Sequence, residues 1–389
     1  MSDTTIHGTF DPRFARVKDV FAEGFRTRDE IGAAIAITID GTPVVDLWAG
    51  HADLAKTRPW ARDTIVNVYS TTKGMAALCL HQLVDEGRVD LDAPVARYWP
   101  EFAQAGKGSI PVRFFLGHRS GLAAARPLLP SPALYDWDAM VTALAAQEPW
   151  WEPGTAHGYH AVTFGWLVGE IVRRVSGKSL GTYFRDAIAR PLGMDFHIGL
   201  PDQEHHRVAE MSPIPLPDPG AETLQLGMVI LADPQGLSAQ AFMNPPSMGL
   251  GVNNPEWRRA EIPGANGHGD ARSLARVYGA LARGGSVDGV KVLSPDGIAR
   301  CHTELSHGRD LVLTVSTRFG HGYMLSQERK DASFGPGTRS FGHPGAGGSL
   351  GFADPDAKLG FGYVVNRMGP NIILDPRATA LLDAAYASL

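Results

Sequence analysis

Cysteine is scarce in this chain, and three further absences narrow what the protein can be. Only two of the 389 residues are cysteine, Cys79 and Cys301, which excludes the disulfide framework of small secreted domains. Lysine and arginine number 36 against 41 aspartates and glutamates, and no basic stripe stands out, which argues against nucleic acid and anionic membranes as partners. No apolar run is long enough to cross a bilayer, and residues 1–7 carry neither a basic start nor an apolar stretch. We therefore expect a soluble, cytoplasmic protein without a signal peptide.

Segments with strand character occupy both ends of the chain, and a helical block lies between them. Two strands joined by Asp40-Gly41, a strong hairpin signal, are predicted first, and five more follow towards the C-terminus (31–39 and 42–48; 311–315, 322–325, 340–344, 351–353 and 359–365). Helices are predicted after Asp11-Pro12, after Ser70 and at five later places (112–116, 137–146, 161–175, 270–283 and 375–387). Residues 213–263, rich in proline and glycine, are predicted as loops around one or two short helices.

This order predicts an α+β fold in which one antiparallel sheet is assembled from both ends of the chain. The first and last helices would flank the sheet. We expect residues 1–100 and 206–389 to form this discontinuous α/β domain, and residues 101–205 to form a helical domain. A cleft would then lie where the two domains meet.

The stretch from Val66 to Met75 is the first candidate for chemistry. It begins with strand character and turns into a segment with apolar residues at helical spacing, so Ser70 is expected at the N-terminal mouth of a helix. Lys73, three residues later, falls on the same helix face as Ser70. A serine hydroxyl needs a base to become a nucleophile, and this Ser-x-x-Lys spacing offers one. Taken alone, however, the same spacing is more typical of a serine that only caps a helix.

Two later stretches could complete a site. Tyr159 follows the Pro153-Gly154-Thr155 loop just before a helix, where a phenol can reach a cleft or simply pack with its hydroxyl bonded. Residues 341–349 run from a predicted strand into glycines, which lets a substrate lie against backbone N–H groups, although a bulge would use the same residues.

Together and in this order, the three stretches resemble the serine β-lactamase and penicillin-binding-protein superfamily, and most of all its family VIII carboxylesterases. Further stretches that carry the resemblance are 116–122, 190–194 and 271–275. The resemblance implies a β-lactamase-like fold with Ser70 as the acylated nucleophile, and with Lys73 and Tyr159 sharing the proton transfers, either of them being the base. It also implies an oxyanion hole from the backbone N–H groups of Ser70 and Ala346. Substrate contacts are expected from three residues, His343, Gly345 and Trp151.

Two departures from the lactamase pattern favour an esterase. Position 161, where lactamases carry the asparagine of Tyr-x-Asn, is alanine, and the lysine of Lys-Thr-Gly is replaced by His343, followed by Pro344 and Gly345. Histidine is mostly neutral at pH 7, so a permanent cation is missing. Both losses affect the recognition of a β-lactam and leave acyl transfer untouched.

Other motifs are interpreted as decoys. Gly-x-Ser-x-Gly occurs around Ser179 and around Ser349, but neither follows a strand and precedes a helix, as a nucleophile elbow must. Residues 204–206 and 268–270 contain histidines and carboxylates without convincing metal spacing, and are interpreted as surface polar residues.

The sequence therefore predicts a serine carboxylesterase that cleaves short-chain acyl esters through an acyl-enzyme on Ser70, with weak β-lactamase activity at most. Alternatives are an acyltransferase or a β-lactamase on the same fold, and a non-catalytic binding or scaffold protein. A small-molecule ester is the expected substrate. No metal, cofactor, nucleic acid or membrane is expected at the site, and the oligomeric state stays open.

Overall fold

The computed structural model describes residues 4–215, 222–246 and 251–389. Within these ranges, the largest element is a nine-stranded sheet in which every neighbouring pair of strands is antiparallel. Its strands are β1 Ile6–Phe10, β2 Gly32–Ile39, β3 Thr42–Gly50, β9 Ser306–Arg309, β10 Ser316–Phe319, β11 Met324–Leu325, β12 Phe341–Pro344, β13 Leu350–Asp354 and β14 Leu359–Val365. Their order across the sheet is β1-β3-β2-β14-β13-β12-β11-β10-β9. Strands from both ends of the chain therefore meet where β2 pairs with β14, as predicted.

A three-stranded sheet, a two-stranded sheet and many helices complete the described part of the fold. The short strands are β4 Val66–Asn67, β5 Phe196–His197, β6 His268–Gly269, β7 Ser286–Val287 and β8 Val290–Lys291, in the orders β4-β6-β5 and β7-β8. The helices are α1 Ala15–Thr27, α2 Thr72–Asp85, α3 Arg113–Leu116, α4 Trp137–Ala146, α5 Thr163–Ser176, α6 Leu180–Phe184, α7 Arg190–Leu192, α8 Glu222–Ala232, α9 Leu237–Met243, α10 Pro255–Arg259, α11 Ala271–Ala282, α12 Pro295–Cys301 and α13 Pro376–Tyr386. None of these helices has both the length and the apolar character that a membrane crossing needs.

Helices cover both faces of the sheet, and at β14 helix α11 lies on one face and helix α13 on the other. Cβ atoms added at Gly360 and Gly362 would stand 2.2 Å from the backbone of α11, so only glycine lets that helix lie directly on the strand. Tyr363 points to the opposite face, because neighbouring strand residues alternate. Its hydroxyl is bonded to Glu30, whose carboxylate pairs with Arg377 of α13 at 3.0 Å. The terminal helix α13 and helix α11 thus sandwich the centre of the sheet.

Helix α2 carries the Ser70 motif into the centre of the molecule. Eleven of its residues are buried, and it packs against α5, α6, α12 and β12. A helix that is apolar on all sides is a core helix. The helix that follows Ser70 is therefore fixed in place by the surrounding core.

Several predictions about elements need correction. Residues 311–315 form a turn between β9 and β10, because the carboxylate of Asp310 binds the N–H groups of Val312 and Leu313 and bends the chain. Strand β1 was not predicted, since its residues lack an alternating pattern and it pairs only along one edge, with β3. The stretch 213–263 contains three helices, α8, α9 and α10, within its described part.

Candidate active site

Ser70 lies in the turn between β4 and α2, two residues before the helix begins. Tyr69, just before it, has a left-handed φ of 45°, which few residues other than glycine adopt. The strained turn is held from within, because the Tyr69 carbonyl accepts the Thr72 hydroxyl at 2.5 Å. The result is a serine side chain that is partly exposed, with a backbone N–H that donates to no acceptor in the described chain.

Lys73 is fully buried, and its amine has three oxygen neighbours. Nζ lies 3.1 Å from Ser70 Oγ and 2.7 Å from each of the carbonyl oxygens of Ala161 and Gly264. A carbonyl oxygen can only accept, so these two contacts occupy two hydrogens of the amine. On an uncharged lysine, the third position is a lone pair, and it faces the Ser70 hydroxyl. The arrangement therefore equips a neutral Lys73 to receive the serine proton.

Burial shifts the pKa values of Lys73 and Tyr159 in the directions that favour uncharged groups. It lowers the pKa of Lys73 well below its usual range, because an ammonium loses its hydration in the interior. It raises the pKa of Tyr159, and this effect outweighs the hydrogen bond from Ser70 that favours the phenolate. The two groups are close, with Nζ 4.7 Å from the centre of the Tyr159 ring. Both shifts favour a neutral amine beside a protonated phenol.

Tyr159 is positioned by its backbone and by the rings around it. Its N–H donates to Asp310 Oδ1 at 2.9 Å, and the N–H of Gly158 donates to the carbonyl of His118 at 3.1 Å. The His118 ring lies 5.0 Å from the Tyr159 ring, and the Phe319 ring stacks on it at 6.0 Å. The phenol therefore reaches Ser70 from a loop that is clamped at two neighbouring peptides.

Sequence reasoning missed Asp310 and His118 as supports of the site. Asp310 Oδ1 accepts three backbone N–H groups, from Tyr159, Val312 and Leu313. An aspartate just before the apolar residues 311–313 is a turn signal, and taking 311–315 as a strand hid it. His118 was quoted within residues 116–122 for the family resemblance, but the sequence gave no reason to connect it with Tyr159.

The turn after β12 supplies the second predicted oxyanion donor. Ala346 lines the same cavity as Ser70, and its N–H donates to no acceptor in the described chain. Ser349 fixes this turn, since its Oγ donates to the Val68 carbonyl at 2.8 Å. Gly345, for which a substrate contact is expected, does not line the cavity. Its N–H is bonded to the Ser349 carbonyl at 2.7 Å, and a Cβ there would stand 2.1 Å from the Val68 oxygen, so its role is close packing.

His343 lies at the end of β12, buried and on the cavity wall. Its Nδ1 is 2.7 Å from the Pro344 carbonyl oxygen, which can only accept, so Nδ1 carries a hydrogen. Burial lowers the pKa of His343 to about 3, because a protonated ring loses its hydration in the interior. The residue that replaces the lactamase lysine is therefore uncharged at neutral pH.

The cavity beside Ser70 has a volume of about 140 Å³ and walls that are mainly apolar. Its lining includes Ser70, Tyr159, Ala161, Ile214, Leu226, Phe242, Trp257, Leu313, Met324, His343, Ala346 and Met368. Trp151, for which a substrate contact is expected, does not line this wall. Its indole N–H donates to the Ala156 carbonyl at 3.1 Å and its ring lies edge-on to His160, so it supports the Tyr159 loop from behind.

The alternative motifs prove to be structural. Ser179 caps α6 and donates to Glu261 at 2.6 Å, and Ser349 secures the turn after β12. His268 and Asp270 are buried, which corrects their interpretation as surface residues, and Asp270 caps α11 through the Ser273 N–H. In the described ranges, no three His, Cys, Asp or Glu side chains converge on a point that would hold a metal ion.

Comparison with known proteins agrees with this geometry. The family model named Beta-lactamase matches residues 17–386. The chain is 37% identical over 379 residues to the esterase/beta-lactamase LipL of Mycobacterium tuberculosis, which covers 96% of this chain and 86% of LipL. It shares 45% identity with a family VIII carboxylesterase of known crystal structure, with a TM-score of 0.91 over 99% of this chain and 100% of the other. A penicillin-binding-protein homologue from Caulobacter crescentus is 44% identical, also with a TM-score of 0.91, over 99% of this chain and all of that one. The predicted resemblance is confirmed: the chain belongs to the beta-lactamase family and, within it, to the branch of the family VIII carboxylesterases.

Proposed function

We propose that this protein is a serine carboxylesterase that hydrolyses short-chain acyl esters through a covalent acyl-enzyme on Ser70. The observation that carries the proposal is the arrangement around Lys73. Two carbonyl oxygens hold two hydrogens of its amine, and the remaining position faces Ser70 Oγ at 3.1 Å. Burial favours the uncharged form that can accept a proton there.

Acylation follows from these positions. Lys73 takes the proton of Ser70 while Oγ forms a bond to the ester carbonyl carbon, and the carbonyl oxygen becomes an oxyanion. The free N–H groups of Ser70 and Ala346 stabilise that charge. When the bond to the alcohol oxygen breaks, the Tyr159 phenol gives its proton to the departing oxygen, and the proton held by Lys73 restores the phenol. Water repeats the sequence on the acyl-enzyme and releases the acid.

The walls of the site favour esters over β-lactams. Ala161 offers no side-chain amide to hold the amide of a β-lactam drug, and His343 offers no charge for its carboxylate. A small cavity of about 140 Å³ with apolar walls suits short acyl and alcohol groups. An acyltransferase would use the same acyl-enzyme with an alcohol in place of water. A scaffold protein on this fold would have no need for a buried lysine beside a free serine, since burial of an amine is costly.

A fluorophosphonate probe tests the proposal directly. It should label the wild-type protein at one serine, and intact-mass and peptide analysis should locate the label at Ser70. The variant Ser349→Ala should be labelled like the wild type, and Ser70→Ala should not. An unlabelled wild-type protein would favour the scaffold hypothesis, and a label elsewhere would contradict the site.

We also propose a cytoplasmic location, because Cys79 and Cys301 are both free and buried.

A further inference from the structure

The imidazole of His343 lies on the cavity wall and has one nitrogen without a hydrogen-bond partner among the described residues. Its Nε2 is buried and has no hydrogen-bond partner among the residues that the structure describes. The hydrogen of the neutral ring is on Nδ1, because that nitrogen contacts the Pro344 carbonyl oxygen at 2.7 Å. Nε2 therefore carries a lone pair, and a ligand that binds beside it without donating a hydrogen bond leaves that lone pair unsatisfied.

The position of His343 tells which part of an ester it meets. The centre of its ring lies 5.9 Å from the centre of the Tyr159 ring, and both side chains line the same cavity. In the proposed mechanism, Tyr159 protonates the departing alcohol oxygen, so the alcohol part of the ester must lie within hydrogen-bond reach of the phenol. The neighbour of Tyr159 on this wall then faces the alcohol part as well.

We propose that His343 selects esters whose alcohol part carries a second hydroxyl close to the ester oxygen, namely monoesters of diols and other polyols. The free hydroxyl donates to Nε2, and the remaining lining accommodates the acyl chain. The inference rests on the proposed function and names the substrate class for it. It is a property of this chain's His343, since an ammonium at the same place would donate and would prefer an anion.

Two esters that differ in one group test this inference. In 2-hydroxyethyl butyrate and propyl butyrate, a hydroxyl replaces a methyl group at the same distance from the ester oxygen. The readout is the ratio of kcat/KM for the two esters, divided by the ratio of their alkaline hydrolysis rates to remove intrinsic reactivity. One hydrogen bond to a buried neutral acceptor corresponds to about a five- to tenfold preference for the hydroxyethyl ester.

Variants assign the preference to His343. In His343→Phe the ratio should fall to about one, and in His343→Gln, whose amide oxygen can accept, part of it should remain. The variant Leu226→Val, which alters an apolar residue of the same wall, should keep the wild-type ratio. Because a ratio within one protein cancels the active fraction, partial unfolding of a variant does not affect it.

The outcomes separate this inference from the function on which it rests. A wild-type ratio near one, or a preference that persists in His343→Phe, would overturn the role of His343 while leaving the esterase intact. If the wild-type protein hydrolysed neither ester above the Ser70→Ala blank, the proposed function itself would fall, and this inference with it.

Discussion

The protonation of Lys73 affects both the stability of the fold and the proposed catalysis, and a pKa lowered in the native state can be measured through the pH dependence of stability. In the unfolded chain a lysine has a pKa of about 10.4, whereas burial lowers the pKa of native Lys73 well below its usual range. Between the native pKa and pH 10.4, the unfolded state binds a proton that the native state does not. Stability from this group therefore rises with pH in that window, and is constant below the native pKa, where both states are protonated.

The size of the effect follows from one proton. Each pH unit within the window adds about 1.4 kcal/mol to the free energy of unfolding. From pH 7 to pH 9 the free energy of unfolding rises by up to about 2.7 kcal/mol if the native pKa of Lys73 lies below 7. The rise is proportionally smaller if that pKa lies between 7 and 9. The variant Lys73→Met cannot titrate here. It also leaves the carbonyls of Ala161 and Gly264 without a donor, but that cost does not depend on pH.

Urea unfolding of both proteins at pH 7, 8 and 9 isolates the effect, because the difference between their free energies of unfolding removes the other titrating groups. Lys107→Met is a matched control, since Lys107 is also buried. Its amine contacts three carbonyl oxygens, those of Gln104, Ala145 and Gln147, and only a charged amine has three hydrogens to donate to them. Burial lowers the pKa of Lys107 to about 8, so its contribution should change with pH only above that value.

The same ionisation should appear in catalysis. The kcat/KM of the wild-type enzyme for an aryl ester should fall as pH decreases through the native pKa of Lys73, because the protonated amine cannot accept the serine proton. The midpoint of this limb should coincide with the pH at which the stability difference starts to rise. A stability difference that stays constant from pH 7 to pH 9, in an enzyme that is active at pH 7, would refute a neutral Lys73 as the base.

Two further changes test the nucleophile and the specificity. In Ser70→Ala, kcat for an aryl ester should drop on the order of 10⁶-fold with the fold intact, and an active Ser70→Ala would contradict the site. The variant Ser349→Ala should keep most activity. It should lose about 1 kcal/mol of stability, since the Val68 carbonyl loses a donor. For a chromogenic cephalosporin, kcat/KM should lie at least about a hundredfold below that for a short-chain aryl ester, and combining Ala161→Asn with His343→Lys should narrow the gap. Equal efficiency on both substrates in the wild-type enzyme would contradict our interpretation of positions 161 and 343.

How far the sequence predicted this site depends on whether its parts are local. The Ser70 turn, the spacing to Lys73 and the Tyr159 loop follow from short motifs. The structure places Ser70 and Tyr159 on one cavity, with the buried Lys73 in contact with Ser70. The expected substrate contacts of Gly345 and Trp151 stay predictions: neither residue lines the cavity, and each contact depends on the direction of a group within a loop, which motif and composition do not fix. The division into domains at residues 100 and 205 stays a prediction.

The sheet shows the same limit. Strands β2, β3 and β14 were predicted because their residues either alternate between apolar and polar or form a continuous apolar run, and both patterns are typical of strands with buried faces. The edge strand β1 pairs with β3 alone among the described strands. Its residues are half-buried or exposed, so they show no alternation. Asp310 is the clearest case: its partners Tyr159, Val312 and Leu313 include one that lies 151 positions away.

Asp310 also gives the last prediction, because its role is to position Tyr159. Removing the carboxylate in Asp310→Ala leaves three buried N–H groups unpaired, at a cost of about 1–3 kcal/mol each, and frees the peptide that carries the phenol. Misplacing a catalytic group by about 1 Å costs about a hundredfold in rate, so kcat of the folded fraction should fall by that order while KM changes little. Asp310→Asn keeps an oxygen acceptor and should restore most of kcat, with urea unfolding used to correct for stability. If Asp310→Ala lost stability but kept the kcat of the wild type, the ring contacts of Tyr159 alone would suffice to hold the phenol, and Asp310 would not be a positioning residue.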